Sequence, residues 1–75
     1  MINKENIIER LAELEHNQWI MWSKAIVKEE NLSPERIERW KKLWIPYDFL
    51  SENQKEQDRQ WAKISYSIFE EEMNW

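Results

Sequence analysis

The chain has 75 residues, six of them tryptophan, with no cysteine, no glycine and a formal net charge of -4. These counts exclude a disulfide framework, a thiolate metal site and a glycine-rich phosphate loop. They also argue against duplex nucleic-acid binding, whose affinity comes mainly from Lys and Arg on phosphates.

A chain this short forms one domain, residues 1–75, and buries only ~60% of the surface that its unfolded form exposes. A single histidine makes a protein-only zinc site a poor expectation, and no cofactor is implied. What remains is a dense aromatic core or self-association. Each packed tryptophan buries roughly 150–250 Å². Six offer more area than one small core encloses, so part of it is expected to meet a partner.

The first predicted helix runs from about Lys4 to Glu30, with Asn3 as its cap. At 100° per residue, Ile7, Ile8, Leu11, Leu14, Trp19, Trp22, Ala25 and Ile26 form one broad apolar stripe. Ser33 followed by Pro34 marks a second start: a capping hydroxyl, then proline in the first helical position. Arg36 stands where a capping box would carry glutamate. This short helix, about Pro34 to Trp44, places Ile37, Trp40, Leu43 and Trp44 on its inner side. Pro46 ends it, because proline disfavours helical geometry in the residue before it. IPYDFL then reads as an extended or turning connector, and Ser51 with Gln54 signals a third start. The third helix, about Glu52 to Met73, carries Trp61, Ile64, Ile68 and Phe69 as its stripe.

The expected fold is therefore all-α: a small three-helix bundle of two long antiparallel helices and a short middle one, completed by self-association. No apolar run is long enough to span a bilayer and no signal-peptide pattern opens the chain, so a soluble cytoplasmic protein without membrane attachment is expected.

Some polar residues interrupt the stripes. Glu15 and Gln18 fall inside the first, and Asp58 and Ser65 inside the third. A buried polar group left unpaired costs roughly 1–3 kcal/mol, and a charge more. Either these groups are matched by an internal network of indole, histidine or arginine donors, or they line a polar cavity shared with a ligand or another subunit. His16 lies at the stripe's edge, where it is a structural hydrogen-bonding residue, a ligand contact or an acid/base group. An acid/base pair would require the fold to bring His16 and Asp58 together. No nucleophile stands in a recognisable motif, so no enzyme is expected.

The second helix is locally basic, with Arg36, Arg39, Lys41 and Lys42 against Glu35 and Glu38; Lys24, Lys55 and Arg59 lie near other aromatic segments. Such charges commonly form a solvated face with local ion pairs. Beside indole and phenol rings they also match a nucleotide: rings stack on bases for about 1–3 kcal/mol each, and cations hold phosphates.

EHNQW, LWIPYDFL and KEQDRQWA, in that order, resemble the RyR domain, a small helical module named for its repeats in ryanodine receptors and found also in bacterial and phage proteins. The pattern maps to His16 and Trp19, to Pro46, Tyr47 and Leu50, and to Lys55 and Asp58, and spans residues 11 to 65. The family's Gly-Trp-x-Tyr-Gly segment is replaced by NLSPERIERWKKLW, and the nearer likeness is to short stand-alone phage and prophage members. The resemblance implies sensing of a nucleotide-derived signal, such as a cyclic oligonucleotide. A free-standing copy without an effector domain implies a phage sponge that captures an immune second messenger.

The expected ligand contacts are Trp19, Trp22, Trp40, Trp44 and Tyr47 for base stacking; Lys24, Arg39, Lys42, Lys55 and Arg59 for phosphates; and His16, Gln18 and Asp58 for polar edges. The pocket is expected between subunits of a homo-oligomer. The alternative is a protein-interaction module whose tryptophans act as hot spots.

Overall fold

Asn3 opens helix α1, Lys4–Glu29, by accepting the backbone N–H groups of Glu5 and Asn6 on its side chain. The computed structural model describes residues 3–73. Ser33 caps α2, Pro34–Lys41, with Pro34 in its first turn. The helix is shorter than its apolar pattern, because the chain already turns at Lys42 ahead of Pro46. Tyr47–Phe49 form one 3₁₀ turn in the connector. Helix α3, Glu52–Met73, starts on a reciprocal box: Gln54 N–H donates to Ser51 Oγ (3.3 Å) and Ser51 N–H to Gln54 Oε1 (3.4 Å).

The described residues are thus all-helical, and α1 and α3 pack as an antiparallel pair. Lys4 meets Glu70 at one end (3.7 Å), and His16 meets Asp58 further along. Ala12 and Ala62 are wholly buried between the two helices, and Tyr47 and Leu50 from the connector complete the core. Small residues at the contact let the two backbones approach closely. Helix α2 meets the C-terminal half of α1 through Trp40, and Trp44, just after α2, meets it through Ser23. No helix among the described residues is long and apolar enough to cross a membrane.

The apolar stripes do not all turn inward. On α3 the buried position is Ala62, one residue and so 100° round the helix from Trp61. Trp61, Ile64, Ile68 and Phe69 are consequently exposed, as are Leu14 and Trp22 on α1. The inward face of α3 instead carries Ala62, Asp58 and Arg59, which the α1 residues Ala12, His16 and Glu9 meet. Close helix contact and polar matching select that face over the more hydrophobic one.

Candidate functional site

Two carboxylates, one on each long helix, organise the polar part of the α1/α3 seam. Glu9 accepts from the Arg59 guanidinium and from the Tyr47 hydroxyl (2.9 Å). Arg59 reaches Glu52 (3.0 Å) and Glu56 (3.5 Å) as well. Lys55 lies over the Tyr47 ring, 5.5 Å from its centroid, and 3.9 Å from Glu52. The Arg59 hydrogen bond holds Glu9 below its usual carboxylate range and pushes Arg59 upward. Burial, then the bond to Glu9, raises the Tyr47 phenol to about 12. Every group in this cluster has its partner within the chain.

Asp58 is placed differently. Its side chain is 23% exposed and its ion-pair neighbour, were the imidazole protonated, is His16, with Nδ1 4.0 Å from Oδ2. That separation is too long for a hydrogen bond, and among the described residues none reaches this carboxylate. Burial pushes Asp58 above the usual range; His16 works against the rise and the charge of Glu15 adds to it. His16 is itself buried, and its Nε2 lies 2.7 Å from the Ile45 carbonyl oxygen. That contact makes Nε2 the N–H donor and leaves Nδ1 toward Asp58. The imidazole also stacks on Trp19, with centroids 6.2 Å apart and planes 19° apart.

His16, Trp19, Leu43, Leu50, Gln54, Gln57 and Asp58 enclose a pocket of about 230 Å³. Its lining combines an imidazole and an indole, two leucines, and a carboxylate with two amides. The pocket falls below the ~300 Å³ lower end of ordinary small-molecule sites. It has room for one ring system rather than for a whole cyclic oligonucleotide.

Three of the expected contacts, His16, Trp19 and Asp58, meet in this pocket. Trp19 continues into a row of rings: Trp40 lies 5.8 Å from it, edge-on, and 5.8 Å from Trp22. Trp44 is engaged elsewhere, its indole N–H donating to the buried Ser23 hydroxyl (3.0 Å) and its ring lying under Lys24 (5.4 Å). Tyr47, Lys55 and Arg59 belong to the Glu9 cluster. Gln18 is exposed and lines no wall of the pocket. Arg39 and Lys42 are exposed on and just after α2, and neither has an ion-pair partner among the described residues.

Sequence reasoning missed Gln54 and Gln57 as wall residues, although each lies within one helical turn of Asp58. It also missed Glu9, whose partner Arg59 is 50 residues away. Of the interrupting residues, Ser65 is exposed and Glu15 half-buried, and no buried side-chain polar atom lacks a partner among the described residues. Trp75 lies outside the described residues.

No protein-family model matches the chain, and no curated protein or solved structure matches it.

Proposed function

We propose that the chain binds a nucleotide-derived ligand without converting it, seating one base in the His16–Asp58 pocket. The observation that carries this reading is a partly buried carboxylate that the described residues leave without a hydrogen bond, lining one ring-sized pocket with an indole. A base stacked on Trp19 would present its edge to Asp58, Gln54 and Gln57. An ionised carboxylate accepts two N–H bonds side by side, which is what the N1–H and amino group of guanine offer, so guanine nucleotides are the expected favourites. Trp40 and Trp22 extend the aromatic row for a second base. Of the expected phosphate contacts, Lys24, Arg39 and Lys42 have no ion pair among the described residues, whereas Lys55 and Arg59 are already matched. The RyR resemblance supports the same place, since its His16, Trp19, Leu50 and Asp58 line one pocket. A free copy that holds such a ligand would act as a sponge, lowering the concentration that a receptor sees.

His16 and Asp58 have the pairing of an acid/base couple, yet the imidazole spends Nε2 on the Ile45 carbonyl and turns Nδ1 to Asp58. Nε2 is therefore not free to exchange a proton with a substrate, and only Nδ1, turned to Asp58, carries no hydrogen bond. The alternative, a protein-interaction module, draws on Trp22 and Trp61, exposed by 55% and 62%. Isothermal titration at micromolar protein against cyclic di- and trinucleotides and ADP-ribose derivatives separates the two. Saturable heat that Asp58→Asn removes supports the pocket; flat heats throughout overturn it. A stoichiometric partner pulled from host lysate and lost in Trp61→Ala would then favour the alternative.

A further inference from the structure

One side of the α1/α3 pair is an apolar face that no other described residue covers. Helix α1 contributes Leu11 and Leu14, and α3 contributes Trp61, Ile64, Ile68 and Phe69. The two stripes share a side: Ile7 and Leu11 of α1 form one groove with Ser65, Tyr66 and Phe69 of α3. The spacing fits helix-on-helix packing. Ile7, Leu11, Leu14 and Gln18 recur at intervals of four, three and four, and Trp61, Ile64 and Ile68 at three and four.

The single chain is also too open for its size. Its accessible surface is 6389 Å² for 9.4 kDa, against ~5,000 Å² for a folded monomer of that mass. Its radius of gyration is 14.9 Å, against ~11 Å for a compact domain of this length. The wholly buried apolar side chains at its helix contact are two alanines, Ala12 and Ala62. A half-exposed aromatic or branched side chain keeps roughly 100 Å² of surface. The six side chains together therefore offer on the order of 600 Å², at the top of the ~300–600 Å² range of the largest patch on a monomer and approaching the ~800 Å² per partner of a standard interface.

We propose that the occupant is a second copy of this chain. Two such hairpins, related by a two-fold axis and packed face to face, close a four-helix bundle whose centre is Leu11, Leu14, Trp61, Ile64 and Ile68 of both copies. A two-fold arrangement suits a flat pair of helices because the same patch serves on both sides. Gln18 and Ser65 then sit at the rim or inside the seam, where they fix register. This inference is independent of what fills the His16 pocket.

Sedimentation equilibrium from ~1 μM to ~1 mM covers association stronger than ~4 kcal/mol. The expected species has twice the 9.4 kDa chain mass. Replacing Ile64 and Ile68 by glutamate should weaken association by at least ~100-fold. Phe49→Glu, at a more exposed apolar residue on the connector, should leave it unchanged. Isotope-filtered NMR on mixed labelled and unlabelled chains should show intermolecular contacts from the Ile64 and Ile68 methyls. A monomer across the whole range overturns the proposal, whether or not that monomer floats with lipid vesicles or captures another protein. So does a dimer that survives the double glutamate variant.

Discussion

Glu9 and Asp58 lie on the same helix seam, yet the chain treats them in opposite ways. Glu9 accepts a guanidinium and a phenol, and its pKa falls. Asp58 accepts nothing from the chain among the described residues, and burial drives its pKa up. Glu9 is 42% exposed and Asp58 only 23%. The better-hidden acid is thus the worse satisfied. Folding explains the first: Arg59 and Tyr47 tie α1, the connector and α3 together through one carboxylate. Folding alone does not call for the second, because a partly desolvated carboxylate with no hydrogen bond from the described residues works against a small domain. Under the proposed function, the difference separates a structural acid from one open to a ligand.

Substitutions should pull the two apart. The largest effect is expected for Asp58→Asn, which removes a charged acceptor worth about 2 kcal/mol to a bound base. Nucleotide affinity should fall at least ~30-fold by titration calorimetry, while the melting temperature holds or rises. Glu9→Gln should do the reverse, leaving affinity unchanged and costing about 1–2 kcal/mol in denaturant unfolding. That figure is already discounted for the solvent screening of a partly exposed pair. Tyr47→Phe should cost about 1 kcal/mol at neutral pH. It should also remove an alkaline transition: a phenol raised from 10 to about 12 by folding keeps its stabilisation below pH 10 and loses it as pH climbs toward 12.

The smallest effect is at acid pH, where the two acids act with opposite signs. Glu9, lowered from 4.5, contributes stability above that value and loses it as pH falls through its folded pKa. Asp58, raised from 3.8, favours the folded chain most below that value and loses this as pH rises through its folded pKa. Acid unfolding curves of Glu9→Gln and Asp58→Asn should therefore move in opposite directions from wild type.

How much of this was legible in the sequence depended on range. The helix starts were local: Asn3, Ser33 with Pro34, and Ser51 with Gln54 cap the helices as their spacing predicts. The α3 face was not. A wheel orients a helix by its most apolar side, which is Trp61, Ile64 and Ile68. The seam is set by Ala62, a residue with little hydrophobic weight whose value is the room it leaves for the opposing backbone. The polar residues in the stripes flagged Asp58 correctly as an oddity. The choice between network and cavity needed coordinates, because Glu9 and Arg59 find each other across 50 residues and His16 finds the Ile45 carbonyl across 29. Among the cations, sequence proximity to aromatic rings grouped Arg59 with Lys42, whereas the fold commits the first and leaves the second unpaired among the described residues.

The most direct test follows the two side-chain carboxyl carbons by NMR through a pH titration, with and without guanosine monophosphate. In the free protein, Asp58 should titrate above 3.8 and Glu9 below 4.5. With the nucleotide, the Asp58 midpoint should fall and its resonance should shift together with the Trp19 ring protons, while Glu9 stays in place. An Asp58 midpoint at or below its ordinary value in the free protein, or one unmoved by nucleotide at saturating concentration, would contradict the division between a spent acid and an open one.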